Sequence, residues 1–107
     1  MIEKEYKYKL TDYKTIERII SDENVDINHM VLQKTEELPV HYSNSNVYLI
    51  IIRGQMSISL NEQVPSSYLK GSIINVPYKT KMHIYNENDE ILEFFVVKAP
   101  SPKVMKS

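Results

Sequence analysis

No cysteine occurs in the 107 residues, which excludes disulfides and thiolate metal sites and fits a reducing compartment. No apolar run approaches the roughly 18 residues that span a bilayer, and the N-terminal MIEKEYKYKL lacks the apolar centre of a signal peptide. A soluble cytoplasmic protein that engages no membrane is the expectation. Nor does one sign of charge dominate: 13 basic against 14 acidic residues leave a formal charge of -1, so no global field recruits nucleic acid. Also missing are a Ser-His-Asp order, a paired-carboxylate signature, a phosphate-binding glycine loop and any nucleic-acid motif. Glycine is scarce, with only Gly54 and Gly71, and each should therefore sit at a turn that other residues would strain.

What is present favours strands. Alanine occurs once, tyrosine eight times, and isoleucine and valine together outnumber leucine. The length fits one domain with one hydrophobic core. Residues 1–10 alternate charge and aromatic, the pattern of an edge strand, of an arm that pairs with a partner, or of a disordered terminus. Thr11 or Asp12 could cap a short helix with Tyr13, Ile16, Ile19 and Ile20 on one face, ended by the polar cluster Ser21 to Asn24. From Val25 onward, turn clusters separate short apolar stretches, and strands are expected near 25–34, 39–43, 46–53, 55–60, 66–69, 72–76, 81–85 and 91–98. Residues 99–107, APSPKVMKS, read as an irregular, mobile tail.

The longest apolar run, Val47 to Ile52, puts Val47, Leu49 and Ile51 on one face of a strand and Tyr48, Ile50 and Ile52 on the other. Both faces should be covered. One can line an interior; the other needs the N-terminal segment or a second copy of the chain, so a homodimer is expected. Residues 91–97, ILEFFVV, have the same two-sided character, and Glu93 in their midst must find solvent or a partner.

Two spaced motifs resemble those of the cupins, G(X)5HXH(X)3-4E(X)6G and G(X)5PXG(X)2H(X)3N. His41, Ser43, Val47 and Gly54 stand at the two histidines, glutamate and last glycine of the first, with Thr35 or its neighbours where its initial glycine belongs. Gly71, Pro77, Lys79, Met82 and Asn86 stand at the glycine, proline, glycine, histidine and asparagine of the second, with sixteen residues between Gly54 and Gly71. The resemblance covers roughly Val25 to Val97 and implies an all-β, cupin-like jelly-roll barrel, the double-stranded β-helix, here preceded by the short helix.

In metal-bearing cupins the first motif's histidines and glutamate and the second motif's histidine converge on a divalent ion. Carried over by position, only His41 keeps a competent donor: Ser43 offers a neutral hydroxyl, Val47 nothing and Met82 a soft thioether. The resemblance thus implies a metal-free barrel binding a small organic ligand, with His41 and Ser43 as polar anchors and Val47, Leu49, Ile51 and Met82 as walls. One alternative is a metal-dependent isomerase or dioxygenase with displaced ligands, requiring His83 or Glu93 to turn inward beside His41. His41 and His83, with Met82 nearby, would then hold a weakly bound divalent metal or Cu(I). On a regular strand His83 faces away from Met82, so this needs a bulge. A third reading is an interaction module whose interior is filled and whose outer strands assemble. His29 reads as a packed or rim histidine, and Arg53 as a solvated or interface residue that could clamp an anion.

Overall fold

The computed structural model describes residues 1–105, which form nine strands and one short 3-10 turn. The strands are β1 (Thr15–Ser21), β2 (Asp26–Leu32), β3 (His41–Tyr42), β4 (Val47–Arg53), β5 (Gln55–Leu60), β6 (Ser66–Leu69), β7 (Ile73–Val76), β8 (Lys81–Tyr85) and β9 (Leu92–Lys98). They make two sheets, one ordered β1-β2-β9-β4-β7 and the other β3-β8-β5-β6. All pairings are antiparallel. From β2 to β9 the chain crosses repeatedly from one sheet to the other, so most neighbours in a sheet are distant in sequence. The sheets are separately hydrogen-bonded layers and not one closed barrel.

The eight expected strands occur, each within two residues of its expected bounds, the first and second shortened at both ends to 26–32 and 41–42. The expected helix does not form. Thr15–Ser21 is instead an edge strand on β2, and its register slips between Arg18 and Ile20. That bulge adds a residue and breaks the period-two alternation, which makes the apolar spacing imitate a helical face. Four β-branched residues, Thr15, Ile16, Ile19 and Ile20, also suit a strand better than a helix. Tyr13 and Ile16, assigned to the helix's apolar face, are exposed.

Strict alternation sorts β4. Val47, Leu49 and Ile51 are buried between the sheets, whereas Tyr48 and Ile52 are exposed on the outer face. On β9 the inward residues are Leu92, Phe94 and Val96, all in the same core with Met30, Leu32, Met56, Ile58, Met82 and Ile84. The tail is less free than its composition suggests. Ser101 is fully buried and its hydroxyl donates to Asp26 at 2.6 Å, and Pro102–Val104 form the 3-10 turn. The last two residues of the expected mobile tail lie outside those described.

The turns explain the scarce glycines. Gly54 and Gly71 both have left-handed backbones, φ +82° and +92°. Thr35 and Lys79, which stand where the two motifs have their other glycines, share that conformation at φ 72° and 65°. The backbone requirement persists where the residue has changed.

Candidate functional site

A cavity of about 40 Å³ remains between the sheets, walled by the buried Met30, Leu38, Leu49, Met82, Ile84 and Val96. Three polar side chains complete its lining: Asn28, His41 and Lys98. These are the more exposed members, so they mark the mouth. Asn28 and Lys98 reach it because they continue the inward phases Asn28-Met30-Leu32 and Phe94-Val96-Lys98 of adjacent strands β2 and β9. His41 comes from the opposite sheet, where β3 pairs it with Met82 of β8.

Each polar group has unfilled capacity. His41 Nδ1 lies 2.9 Å from the Pro39 carbonyl, which can only accept, so that nitrogen carries the proton and Nε2 of the neutral ring is left as an acceptor. Asn28 Oδ1 has no hydrogen-bond partner among the described residues, but the atom itself is buried from solvent. Lys98 has no carboxylate within ion-pair distance among the described residues. Burial pushes the Lys98 ammonium below its ordinary pKa; Asp26 opposes that shift and the Arg18 charge adds to it. Asp26 is itself engaged, accepting hydroxyls from Ser21 at 2.9 Å and Ser101 at 2.6 Å.

Of the residues expected to bind a ligand, His41, Leu49 and Met82 meet at this cavity. Ser43, Val47 and Ile51 do not line it. The Ser43 hydroxyl donates to the Pro77 carbonyl at 2.6 Å and accepts from the Thr80 backbone N–H at 2.8 Å, so it ties down the loop between β7 and β8. Val47 and Ile51 are buried elsewhere in the core. Asn28 and Lys98 were not among the expected anchors, although their place in the inward phase of apolar strands was the available signal.

The residues at the family's ligand positions do not fit a metal: Ser43 is spent on the loop, Val47 has no donor, and Met82 is embedded among apolar side chains. His83 and Glu93 do not turn inward. His83 hydrogen-bonds Glu37 Oε1 at 2.7 Å and stacks on Tyr85 with ring centroids 4.8 Å apart, on the opposite side of β8 from Met82. Among the described residues no group of three or more His, Cys, Asp or Glu has a metal-holding arrangement.

Glu93 instead joins a charged chain on the outer face of the five-stranded sheet. His29 is fully buried, with Nδ1 2.7 Å from Glu17 Oε2 and Nε2 2.6 Å from Glu93 Oε2. Arg53 continues the chain, lying 3.1 Å from Glu93 Oε1 and 2.7 Å from Asp12 Oδ1. Carboxylates only accept, so both contacts to His29 are hydrogen bonds when the ring carries two N–H groups. Tyr8 of the N-terminal arm covers the assembly, its ring 4.7 Å from His29 and 5.0 Å, edge-on, from Phe95. The arm is thus neither strand nor helix but a cover for part of the outer face.

Comparison with known proteins places this architecture. No protein-family model matches the chain. An uncharacterized protein of Methanocaldococcus jannaschii is 51% identical over 109 residues, spanning 100% of this chain and 93% of the relative. The crystal structure of an RmlC-like cupin family protein with a double-stranded β-helix fold, also from Methanocaldococcus jannaschii, superposes with a TM-score of 0.93 at 52% identity, covering 96% of this chain and 95% of the other. The chain is a cupin. More distant structures share the fold alone. A Klebsiella pneumoniae protein with a double-stranded β-helix domain matches this cupin with a TM-score of 0.76 at 13% identity, over 88% and 83% of the two chains. A cupin superfamily protein of Desulfitobacterium hafniense matches with 0.72 at 11%, over 86% and 82%. Among the described residues of this cupin no helix is long and apolar enough to cross a membrane.

Proposed function

We propose that this cupin binds a small organic ligand between its sheets without a metal, as a cytoplasmic protein that engages neither nucleic acid nor membrane. The observation that carries the reading is the convergence of His41, whose Nε2 is left as an acceptor, and Lys98, which no carboxylate among the described residues pairs, beside Asn28 at the mouth of an apolar cavity. Concave, mostly apolar sites with a few placed polar groups are the usual form of small-molecule pockets. The anchors are His41, Asn28 and Lys98, and Leu49 and Met82 are walls. At about 40 Å³ the enclosed part holds roughly three water-sized groups, on a scale where one water needs about 10–15 Å³. Screening small organic molecules against protein with 13C-labelled methionine methyls tests this. Saturable shifts confined to Met30 and Met82, lost in His41→Ala, are expected; shifts that appear only at Met1 or Met105, or none, would refute the reading.

A homodimer is the second part of the proposal. Tyr48, Ile52 and Ile73 remain 38%, 41% and 67% exposed on the outer face beyond the arm, an apolar surface continuous with the one Tyr8 covers. Sedimentation velocity should give a dimer at micromolar concentration, and Ile73→Lys should convert it to monomer with an unchanged fold; a wild-type monomer at all concentrations would overturn this part.

A further inference from the structure

We infer that the N-terminal arms of two copies of this cupin pair as an antiparallel two-stranded ribbon centred on Tyr6, each arm continuing onto the outer face of the other copy. The inference rests on the homodimer reading and goes on to name the segment that joins the copies.

From Tyr8 onward the arm is fastened to its own sheet. Tyr8 packs against His29 and Phe95, and the Lys9 backbone N–H donates to Glu17 at 2.9 Å. Before Lys9 no backbone hydrogen bond engages the arm among the described residues, and residues 1–8 are exposed and run without turn or bend. Lys4 Nζ lies 5.2 Å from the centre of the Tyr6 ring, as alternate residues on one face of an extended chain do. Such a chain also points successive amides to its two opposite edges. With the Lys9 N–H turned toward Glu17 on β1, those of Lys4, Tyr6 and Tyr8 turn toward the side of the sheet where β4 and β7 leave Tyr48, Ile52 and Ile73 exposed. That edge is open to a second strand.

Charge selects both the register and the occupant. In an antiparallel pair with its two-fold axis through Tyr6, Glu5 faces Lys7 of the other copy and Glu3 faces Lys9, and symmetry repeats both pairs. On the opposite face Tyr6 meets Tyr6, and Lys4 meets the Tyr8 ring. The neighbouring registers set like charges against each other. Centring on Glu5 or on Lys7 opposes that residue to itself, centring on Lys4 opposes Glu3 to Glu5, and centring on Tyr8 opposes Lys7 to Lys9. The arm is thus complementary to its own copy in one register. There Met1 and Ile2, fully exposed in the single chain, pass beyond Tyr8 of the other copy onto its apolar outer face.

Because the chain has no cysteine, a placed thiol reports on one position alone. Tyr6→Cys sets two sulfurs across the axis at a Cα spacing of about 5.5 Å, which a disulfide spans, whereas the two Lys4 positions lie roughly 14 Å apart. Under mild oxidation Tyr6→Cys should form linked dimer about tenfold or more faster than Lys4→Cys. Sedimentation velocity at low salt supplies an independent reading. Glu5→Lys and Lys7→Glu should each self-associate about tenfold more weakly than wild type, and their equimolar mixture should regain wild-type affinity, since each variant then faces the opposite charge. All four positions lie on the exposed arm, so the fold is not at stake. Equal linking of the two cysteines, or a mixture no tighter than its components, would overturn the ribbon while leaving the outer-face dimer to the Ile73→Lys test. A wild-type chain that is monomeric at all concentrations would remove both.

Discussion

Gly54→Ala is expected to destabilise this cupin by roughly 3–4 kcal/mol, lowering the thermal midpoint by ten degrees or more. Two effects coincide at that turn between β4 and β5. The backbone sits at φ +82°, where an L side chain costs about 1–2 kcal/mol. A Cβ built there also overlaps the main-chain carbonyl of Ile91, which cannot swing aside as a side-chain end could. Gly71→Ala is the control: the backbone is equally left-handed at φ +92°, but nothing lies within 4 Å of the added carbon, so only the strain is expected. Thr35→Gly runs the experiment backwards. A β-branched residue at φ 72°, exposed and with no side-chain hydrogen bond among the described residues, should gain about 0.5–1 kcal/mol on replacement, after allowing for glycine's extra freedom when unfolded. Urea unfolding of the three variants checks the order; a Gly54→Ala midpoint no lower than that of Gly71→Ala would show that the main chain near Ile91 yields at little cost.

Removing the His29 ring should be comparably severe. His29→Ala leaves Glu17 and Glu93 facing one another across the vacated space, and breaking one partner out of a buried ionic cluster costs about 3–5 kcal/mol. The arm should loosen as well, because Tyr8 packs at a tilt against the lost ring and the Lys9 backbone N–H is held by Glu17 at 2.9 Å. Hydrogen exchange at Lys9 should therefore accelerate together with the loss of stability. His29→Leu combined with Glu93→Leu, which removes the charges in a matched way, should recover most of the loss; a double variant as unstable as the single would place the cost in packing. Acid should act on the same cluster. Burial alone would raise the Glu17 carboxyl, but the Lys9 N–H, the His29 hydrogen bond and the nearby charges hold it below its ordinary value, and Asp26 is held low by Ser101, Ser21 and neighbouring cations despite its burial. A carboxyl lowered in the folded state contributes stability above its unfolded pKa of about 4 and loses it as pH falls through the folded value. Stability should thus fall off below about pH 4, and less steeply in Glu17→Gln.

Local chemistry was enough for the strands from β2 onward, because alternating or two-sided apolar runs between turn clusters leave little choice of conformation. It was enough, too, for the inward set Val47, Leu49 and Ile51, since a strand's side chains alternate by geometry. The spacing of the two glycines and of Pro77 and Asn86 conveyed the family. Asn86 shows what such a position does: its buried amide donates to the carbonyls of Leu32 and Glu90, tying the end of β2 to the loop between β8 and β9, and does so whatever the site binds.

The first strand was misread because a bulge shifts its phase, and the bulge exists only through pairing with β2. The ionic chain was illegible for the same kind of reason. Glu17, His29, Arg53 and Glu93 lie on four different strands, and only sheet order brings them together. The site divides along this line as well. His41, Leu49 and Met82 could be named from motif position and alternation, but whether Ser43 faces a ligand or a loop depends on where the Pro77 carbonyl arrives. That Lys98 and Asn28 share a cavity with His41 depends on two sheets stacking at one register. Along β4 the sequence by itself determined which residues turn inward, because an unbroken strand alternates with period two; the tertiary structure alone decided the phase of the bulged β1 and which inward residues keep unmet bonding capacity, because both depend on partners supplied from other strands and from loops far along the chain.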